Sequence, residues 1–207
     1  MQKFDAYICR FGAIAVALIS LSANADPVLV DVRSVDPTIT VDLRYAGRKN
    51  FLGHSLYARG THAVVRPEIA SALAVAQSFL RRYQYGLKIW DASHNSDYVA
   101  NPEIGAGSLH SWGIAVDATL VDSRVRDVRM PTDFDDFTPA AMLPYMGSSL
   151  EIRRNLGLLR YAMYKAGFCG LRTEWWHFTI LGWQKYVPPE KGKSAAQVLA
   201  THSEGGL

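Results

Sequence analysis

Ser108, His110, Gly113, Ala115 and Asp117 stand in the run Ser-Leu-His-Ser-Trp-Gly-Ile-Ala-Val-Asp, where a polar stretch turns into an apolar one. An imidazole and a carboxylate this close together can bind a divalent metal, or can be a hydrogen-bonded loop histidine and a structural aspartate. On an uninterrupted strand their separation of seven would send them to opposite faces, so they converge only if the chain bends between them, and Gly113 supplies the place. Glu174 and His177, three apart in Glu-Trp-Trp-His, add a second carboxylate and a second imidazole among large aromatics. A charged glutamate is rarely buried without a partner, so this one asks for an explanation. Two imidazoles and one carboxylate suit a zinc site that keeps a fourth position for water, and a further carboxylate beside it can serve as general base. A structural zinc site or a cluster of polar core residues fits the same residues.

The elements that must position these groups are read from periodicity. Ile39, Val41 and Leu43 alternate with Thr40, Asp42 and Arg44, as in a half-buried strand. A glycine-rich polar loop follows, and from Pro67 the residues Ile69, Leu73, Ala76 and Leu80 mark one face of a helix ending near 83–86. A short strand through Leu87 and Ile89 precedes a turn-rich connection. The next strand carries Ile114, Val116, Ala118 and Leu120 on its apolar face and turns Asp117 and Thr119 to the other. Ile152, Leu156, Leu159 and Met163 mark a second helix, capped by Ser148 or Ser149 and ended by Gly167, and a last strand runs through 173–181. Strands interleaved irregularly with two helices predict an α+β fold, a single domain whose small, mainly antiparallel sheet carries the site.

Residues 1–25 have basic Lys3 and Arg10, an apolar run from Phe11 to Leu21 and small residues at Ala23 and Ala25, the layout of a secretory signal peptide. The run is too short to span a bilayer, and Cys9 lacks the small-residue context of a lipid-modified cysteine. The expected mature chain starts at Asp26, keeps Cys169 alone as a small buried hydrophobe and has no internal disulfide. Its formal charge is (22 − 2) − (19 − 1) = +2, which argues against nucleic acid as the partner. Residues 26–190 make one domain and 191–207 a weakly ordered tail, in a periplasmic or secreted protein without a stable membrane anchor.

With these residues in view, Ser-x-His-x-x-Gly-x-Ala-x-Asp at 108–117 and Glu-x-Trp-His at 174–177 resemble the D-alanyl-D-alanine dipeptidase family, which includes the vancomycin-resistance dipeptidases and belongs to a wider group with lysostaphin-like and hedgehog-like relatives. The resemblance runs from about Val30 to Tyr186 and takes in Tyr-Ala-Gly-Arg-Lys-Asn-Phe-Leu-Gly at 45–53 and Phe-Asp-Asp-Phe at 134–137. It implies zinc on His110, Asp117 and His177, with Glu174 as base for the zinc-bound water. It further implies that Asp135 receives the substrate's amino group and that Ser108 contacts substrate. On residue type alone, Asp133 and Asp136 compete with Asp135, and each could cap a turn.

One departure matters. The family follows its Trp-Asp or Tyr-Asp strand end with Ala-Tyr-Arg-Pro, whereas here Trp90-Asp91-Ala92 runs into Ser-His-Asn-Ser. The family's arginine is thought to stabilise the oxyanion, and losing such a donor typically costs ~10²–10³ in rate. His94 is the candidate substitute, with Arg48, Lys49, Arg66 and Arg172 as other cations that geometry must promote or exclude. Three functions remain open: a zinc-dependent dipeptidase acting on D-Ala-D-Ala or related D,D-dipeptides, a carboxypeptidase or endopeptidase on longer cell-wall peptides, and a zinc-containing binding protein with weakened catalysis.

Overall fold

The computed structural model describes residues 28–92 and 108–187. The leader, His94 and the C-terminal tail lie outside them. The chain forms β1 (Val30–Asp31), α1 (Val32–Val35), β2 (Thr40–Val41), β3 (Val64–Val65), α2 (Pro67–Arg81), β4 (Tyr85–Asp91), β5 (Ala115–Asp122), α3 (Leu150–Lys165), β6 (Phe168–Gly170) and β7 (His177–Ile180). The main sheet has the order β2-β4-β5-β7-β6, antiparallel throughout except for the parallel β2–β4 pair. β1 and β3 make a separate antiparallel pair. The α+β expectation with a mainly antiparallel sheet therefore holds.

Helix α2 begins at Pro67, whose fixed φ suits a first turn, and buries Ile69, Leu73, Ala76 and Leu80. It stops at Arg81, a little earlier than its periodicity suggests, and Gln84 then takes a left-handed φ of 63° to turn into β4. Helix α3 is capped by Ser149, whose Oγ accepts the Ile152 N–H at 3.3 Å, and is followed by Gly167 at φ 90°. Both helices cover one face of the sheet, where Leu87, Ile89, Val116, Ala118, Leu120 and Phe178 join them in the core. The opposite face carries Lys88, Asp117, Thr119, His177 and Thr179. Long loops rather than helices close over that face.

Three expectations need correction. The last strand spans only His177–Ile180, because Trp175 and Trp176 form a turn before it. The alternation through 39–44 makes only a two-residue strand, because the chain enters a 3-10 turn at Arg44–Ala46 and buries Arg44 instead of exposing it. Its guanidinium lies 5.0 Å from the centre of the Trp90 ring, a cation–π contact that offsets the burial. Cys169 is only partly buried, on the edge strand β6, and is disulfide-bonded rather than a free thiol. The other cysteine, Cys9, lies outside the described residues. Among the described residues no helix is long and apolar enough to cross a membrane.

Candidate active site

Two of the expected metal ligands are placed by strand register. Asp117 on β5 pairs directly with His177 on β7, so their side chains stand together on the loop-covered face, with His177 Nδ1 3.0 Å from Asp117 Oδ1. His110 comes from the turn before β5. There Gly113 adopts φ 65° and donates its N–H to the His110 carbonyl at 2.8 Å, folding the chain back. A Cβ at Gly113 would meet Leu29 Cδ2 at 2.5 Å and the Arg66 backbone nitrogen at 3.0 Å, so both the torsion and the space demand glycine. The bend brings His110 Nε2 to 3.2 Å from His177 Nδ1 and 3.5 Å from Asp117 Oδ1. One ligand atom from each of the three residues lies within 4.8 Å of the others.

Behind these atoms stand residues that the sequence did not single out. Thr179 Oγ1 lies 3.0 Å from His177 Nε2, the ring nitrogen facing away from the cluster. Asp91, at the end of β4 and 5% exposed, places Oδ2 3.5 Å from His110 Nδ1, and its Oδ1 accepts a 2.5 Å hydrogen bond from the Tyr57 hydroxyl.

The electrostatics are those of a site built around one positive charge. Burial alone would lower the pKa of His110, but the Asp117 and Asp91 carboxylates outweigh it and raise it to about 9. Burial would raise Asp117, and the His110 and His177 imidazoles instead hold it below the ordinary carboxylate range. Asp91 is pushed up by burial and by the Asp117 charge, with His110 and Tyr57 restraining the rise. Two buried carboxylates around a cationic position, with two imidazole nitrogens aimed at the same point, match what a divalent ion needs.

Glu174 is partly buried and leads into the turn that carries Trp175 and Trp176, both fully buried. Its carbonyl accepts the His177 N–H at 3.3 Å, and its negative charge raises both His110 and Asp135. The two tryptophans anchor this turn. Trp175 packs on Trp90 at 5.5 Å between ring centres and donates its Nε1–H to Thr132 Oγ1 at 2.9 Å.

The three neighbouring aspartates separate clearly. Asp133 accepts the Phe134 N–H and Asp136 the Thr138 N–H, both turn contacts. Asp135, held at a left-handed φ of 59°, accepts the Phe51 N–H at 3.2 Å. Burial, with the charges of Asp117 and Glu174 adding, pushes its pKa up to about 6 against the restraint of Phe51 and Tyr45. It also lines a cavity of about 670 Å³ with Lys49, Phe51, Trp90 and Thr119 among the walls. Asp133 and Asp136 line the same cavity, and what sets Asp135 apart is that the charges of Asp117 and Glu174 act on it.

Ser108 Oγ accepts the His110 N–H at 3.3 Å, which fixes the turn whatever else the hydroxyl does. Arg48 is engaged with the Gly53 carbonyl, and Arg66 with the Trp112 carbonyl and the face of Tyr186. Arg172 is exposed, while Lys49 lines the cavity beside Asp135.

An α+β fold whose sheet presents a His-Asp-His cluster beside a glutamate defines a candidate metal-dependent hydrolase centre. The family model described as D-ala-D-ala dipeptidase matches residues 26–101 and 92–189, and the chain belongs to that family of peptidases. It is similar to the D-alanyl-D-alanine dipeptidase of Escherichia coli (strain K12), 28% identical over 164 residues that cover 73% of this chain and 84% of that protein. It is also similar to the D-alanyl-D-alanine dipeptidase of Enterococcus faecalis (strain ATCC 700802 / V583), 25% identical over 171 residues covering 68% of this chain and 85% of that protein.

Proposed function

We propose that the chain is an exported zinc dipeptidase that hydrolyses D-alanyl-D-alanine or a related D,D-dipeptide. The observation that carries this reading is the convergence of His110 Nε2, Asp117 Oδ1 and His177 Nδ1 beside Glu174. Three protein ligands leave a fourth position open, the mark of a catalytic rather than a structural zinc site. When bound, zinc supplies Lewis-acid polarisation of the scissile carbonyl and lowers the pKa of water to about 7.

The chain's own residues supply the rest. Glu174 accepts a proton from the attacking water and passes it to the leaving amine, so the C–N bond breaks as a new C–O bond completes the carboxylate. Asp135 pairs with the free ammonium group of the substrate, which sets where the chain is cut by measuring from its N-terminus. The fully buried Trp175 and Trp176 anchor the turn that carries Glu174.

The cavity beside Asp135, about 670 Å³, lies in the range that takes drug-sized ligands. A second reading, in which a longer cell-wall peptide is the substrate, is supported by the sequence instead, where Trp90-Asp91-Ala92 runs into Ser-His-Asn-Ser in place of the family's Ala-Tyr-Arg-Pro. Export follows from the leader-like residues 1–25, and it would place the enzyme in the periplasm or outside the cell. N-terminal sequencing of the exported protein tests cleavage after Ala25.

The deciding experiment incubates the zinc-loaded mature protein separately with D-Ala-D-Ala and with purified muropeptides. Release of free D-alanine from the dipeptide, with muropeptides left intact, is expected. Cleavage of muropeptides alone would move the assignment to a cell-wall peptidase. Tight zinc with no turnover of either would leave a binding protein.

A further inference from the structure

Asp91 and Tyr57, lined up behind His110, have no part in the chemistry just described, yet three separate features of the fold converge to place them there. The first is a register shift between Ile89 and Asp91 on β4. Ile89 pairs with Ala118, so regular pairing would set Trp90 opposite Asp117 and Asp91 opposite Val116, on the helix-covered apolar face. The bulge instead sets Asp91 opposite Asp117 and turns its carboxylate to the site. The second is His110 Nδ1, a buried atom without a hydrogen-bond partner of normal geometry, with Asp91 Oδ2 3.5 Å away. The third is Tyr57, whose backbone N–H is tied to the Tyr45 carbonyl at 2.9 Å and whose hydroxyl donates to Asp91 Oδ1 at 2.5 Å.

We propose that Asp91 is the positioning residue for His110 as a metal ligand, and that Tyr57 holds Asp91 in place to do so; this rests on the zinc reading of the His110, Asp117 and His177 site. A histidine that offers Nε2 to a metal must carry its proton on Nδ1, and a carboxylate facing that nitrogen fixes the tautomer, the ring angle and the basicity of the ligand. Asp91 faces Nδ1, on the side of the ring away from Asp117 and His177, so it supports the ligand without joining the ligand set. Tyr57 occupies the other carboxylate oxygen, which leaves Oδ2 the oxygen available to His110. Of the two histidines, His110 needs this support more, because it sits on a turn while His177 is held in a strand.

The test measures zinc affinity by competition with a chromophoric chelator for the full mature chain, Asp91→Asn, Asp91→Ala and Tyr57→Phe, with His110→Ala as reference. The visible spectrum of the cobalt(II)-substituted proteins reports ligand geometry independently of activity. Loss of an outer carboxylate should weaken zinc binding about 10–100-fold in both Asp91 variants and alter the cobalt bands. Tyr57→Phe should weaken it in the same direction by roughly fivefold, the worth of one hydrogen bond. Should Asp91→Ala fail to fold, the nearly isosteric Asp91→Asn and Tyr57→Phe decide the matter. Zinc affinity within about twofold of wild type and an unchanged cobalt spectrum in the folded Asp91 variants would overturn the inference alone. Wild-type protein that binds no zinc, or binds it equally well as His110→Ala, would instead remove the zinc reading and this inference with it.

Discussion

Asp117 and His177 reach the candidate metal position from adjacent strands, whereas His110 reaches it from a turn. For the strand pair, backbone hydrogen bonding and the alternation of side chains do the placing, so both groups are oriented by the same interactions that make the sheet. The turn residue has no ladder to hold it. Its position depends on the left-handed Gly113, on the Ser108 hydroxyl that accepts its N–H, and on the carboxylate behind its ring. Substitutions in the strand pair should therefore act on the metal itself, and those around the turn should act on the quality of the site.

The largest effect is expected from Asp117→Ala. It removes one of the three proposed ligands, the carboxylate that stands 3.5 Å from His110 Nε2 and 3.0 Å from His177 Nδ1. Metal analysis should find zinc no longer bound stoichiometrically, with hydrolysis at background. Glu174→Gln should separate metal from chemistry. Its zinc content should match wild type, while kcat falls about 10²–10⁴-fold, the usual contribution of a general base. Retained turnover in Glu174→Gln would sink the assignment of the base.

Gly113→Ala attacks the turn. An alanine at φ 65° is strained, and its Cβ would collide with Leu29 and the Arg66 backbone. A cost of about 1–3 kcal/mol is expected for such a conformation, readable as a drop of several degrees in Tm. Because relief of that strain displaces His110, zinc affinity should fall with it, which a purely structural glycine would not require.

What could be seen in the sequence divides along the same line. The cluster of His110, Asp117 and His177 was legible because its residue types are rare among apolar neighbours, and the bend at Gly113 followed from the odd spacing of His110 and Asp117. The two long helices were legible because fifteen or so residues give several turns of periodicity. Asp91 was not, because a β-bulge is a property of how two strands pair, and the alternation of one strand alone points this aspartate at the wrong face. The strands β1, β2, β3 and β6 span two or three residues each, too few for any period to register. Nor does composition reveal that Arg44 is buried against Trp90.

Asp135 belongs to neither ligand group, and its titration offers a test in solution. Its carboxyl is raised from 3.8 to about 6, so the folded state binds its proton more tightly than the unfolded chain does. Its contribution to stability is therefore present at low pH and lost as pH rises from about 4 through about 6. Pairing with a substrate ammonium needs the ionised form, so KM for a free dipeptide should rise as pH falls below about 6, by up to tenfold per unit. Asp135→Asn should raise KM and flatten that limb of the profile. A KM limb that persists in Asp135→Asn would assign it to another group.

The smallest effect, and the sharpest test of strand against turn, is Thr179→Val. It removes the hydroxyl 3.0 Å from His177 Nε2 and keeps the side chain's shape. On the strand, however, His177 keeps its pairing with Asp117, its backbone ladder and its buried neighbours, so the ring has little freedom to exploit. The loss should be that of one neutral hydrogen bond, roughly fivefold in zinc affinity, with an unaltered cobalt spectrum. Removing the Asp91 carboxylate behind the turn-borne His110 should cost more and change the spectrum. If Thr179→Val proved as damaging as Asp91→Asn, the strand would be doing no more to orient its histidine than the turn does. The two outer partners, rather than the backbone elements, would then set the geometry of the site.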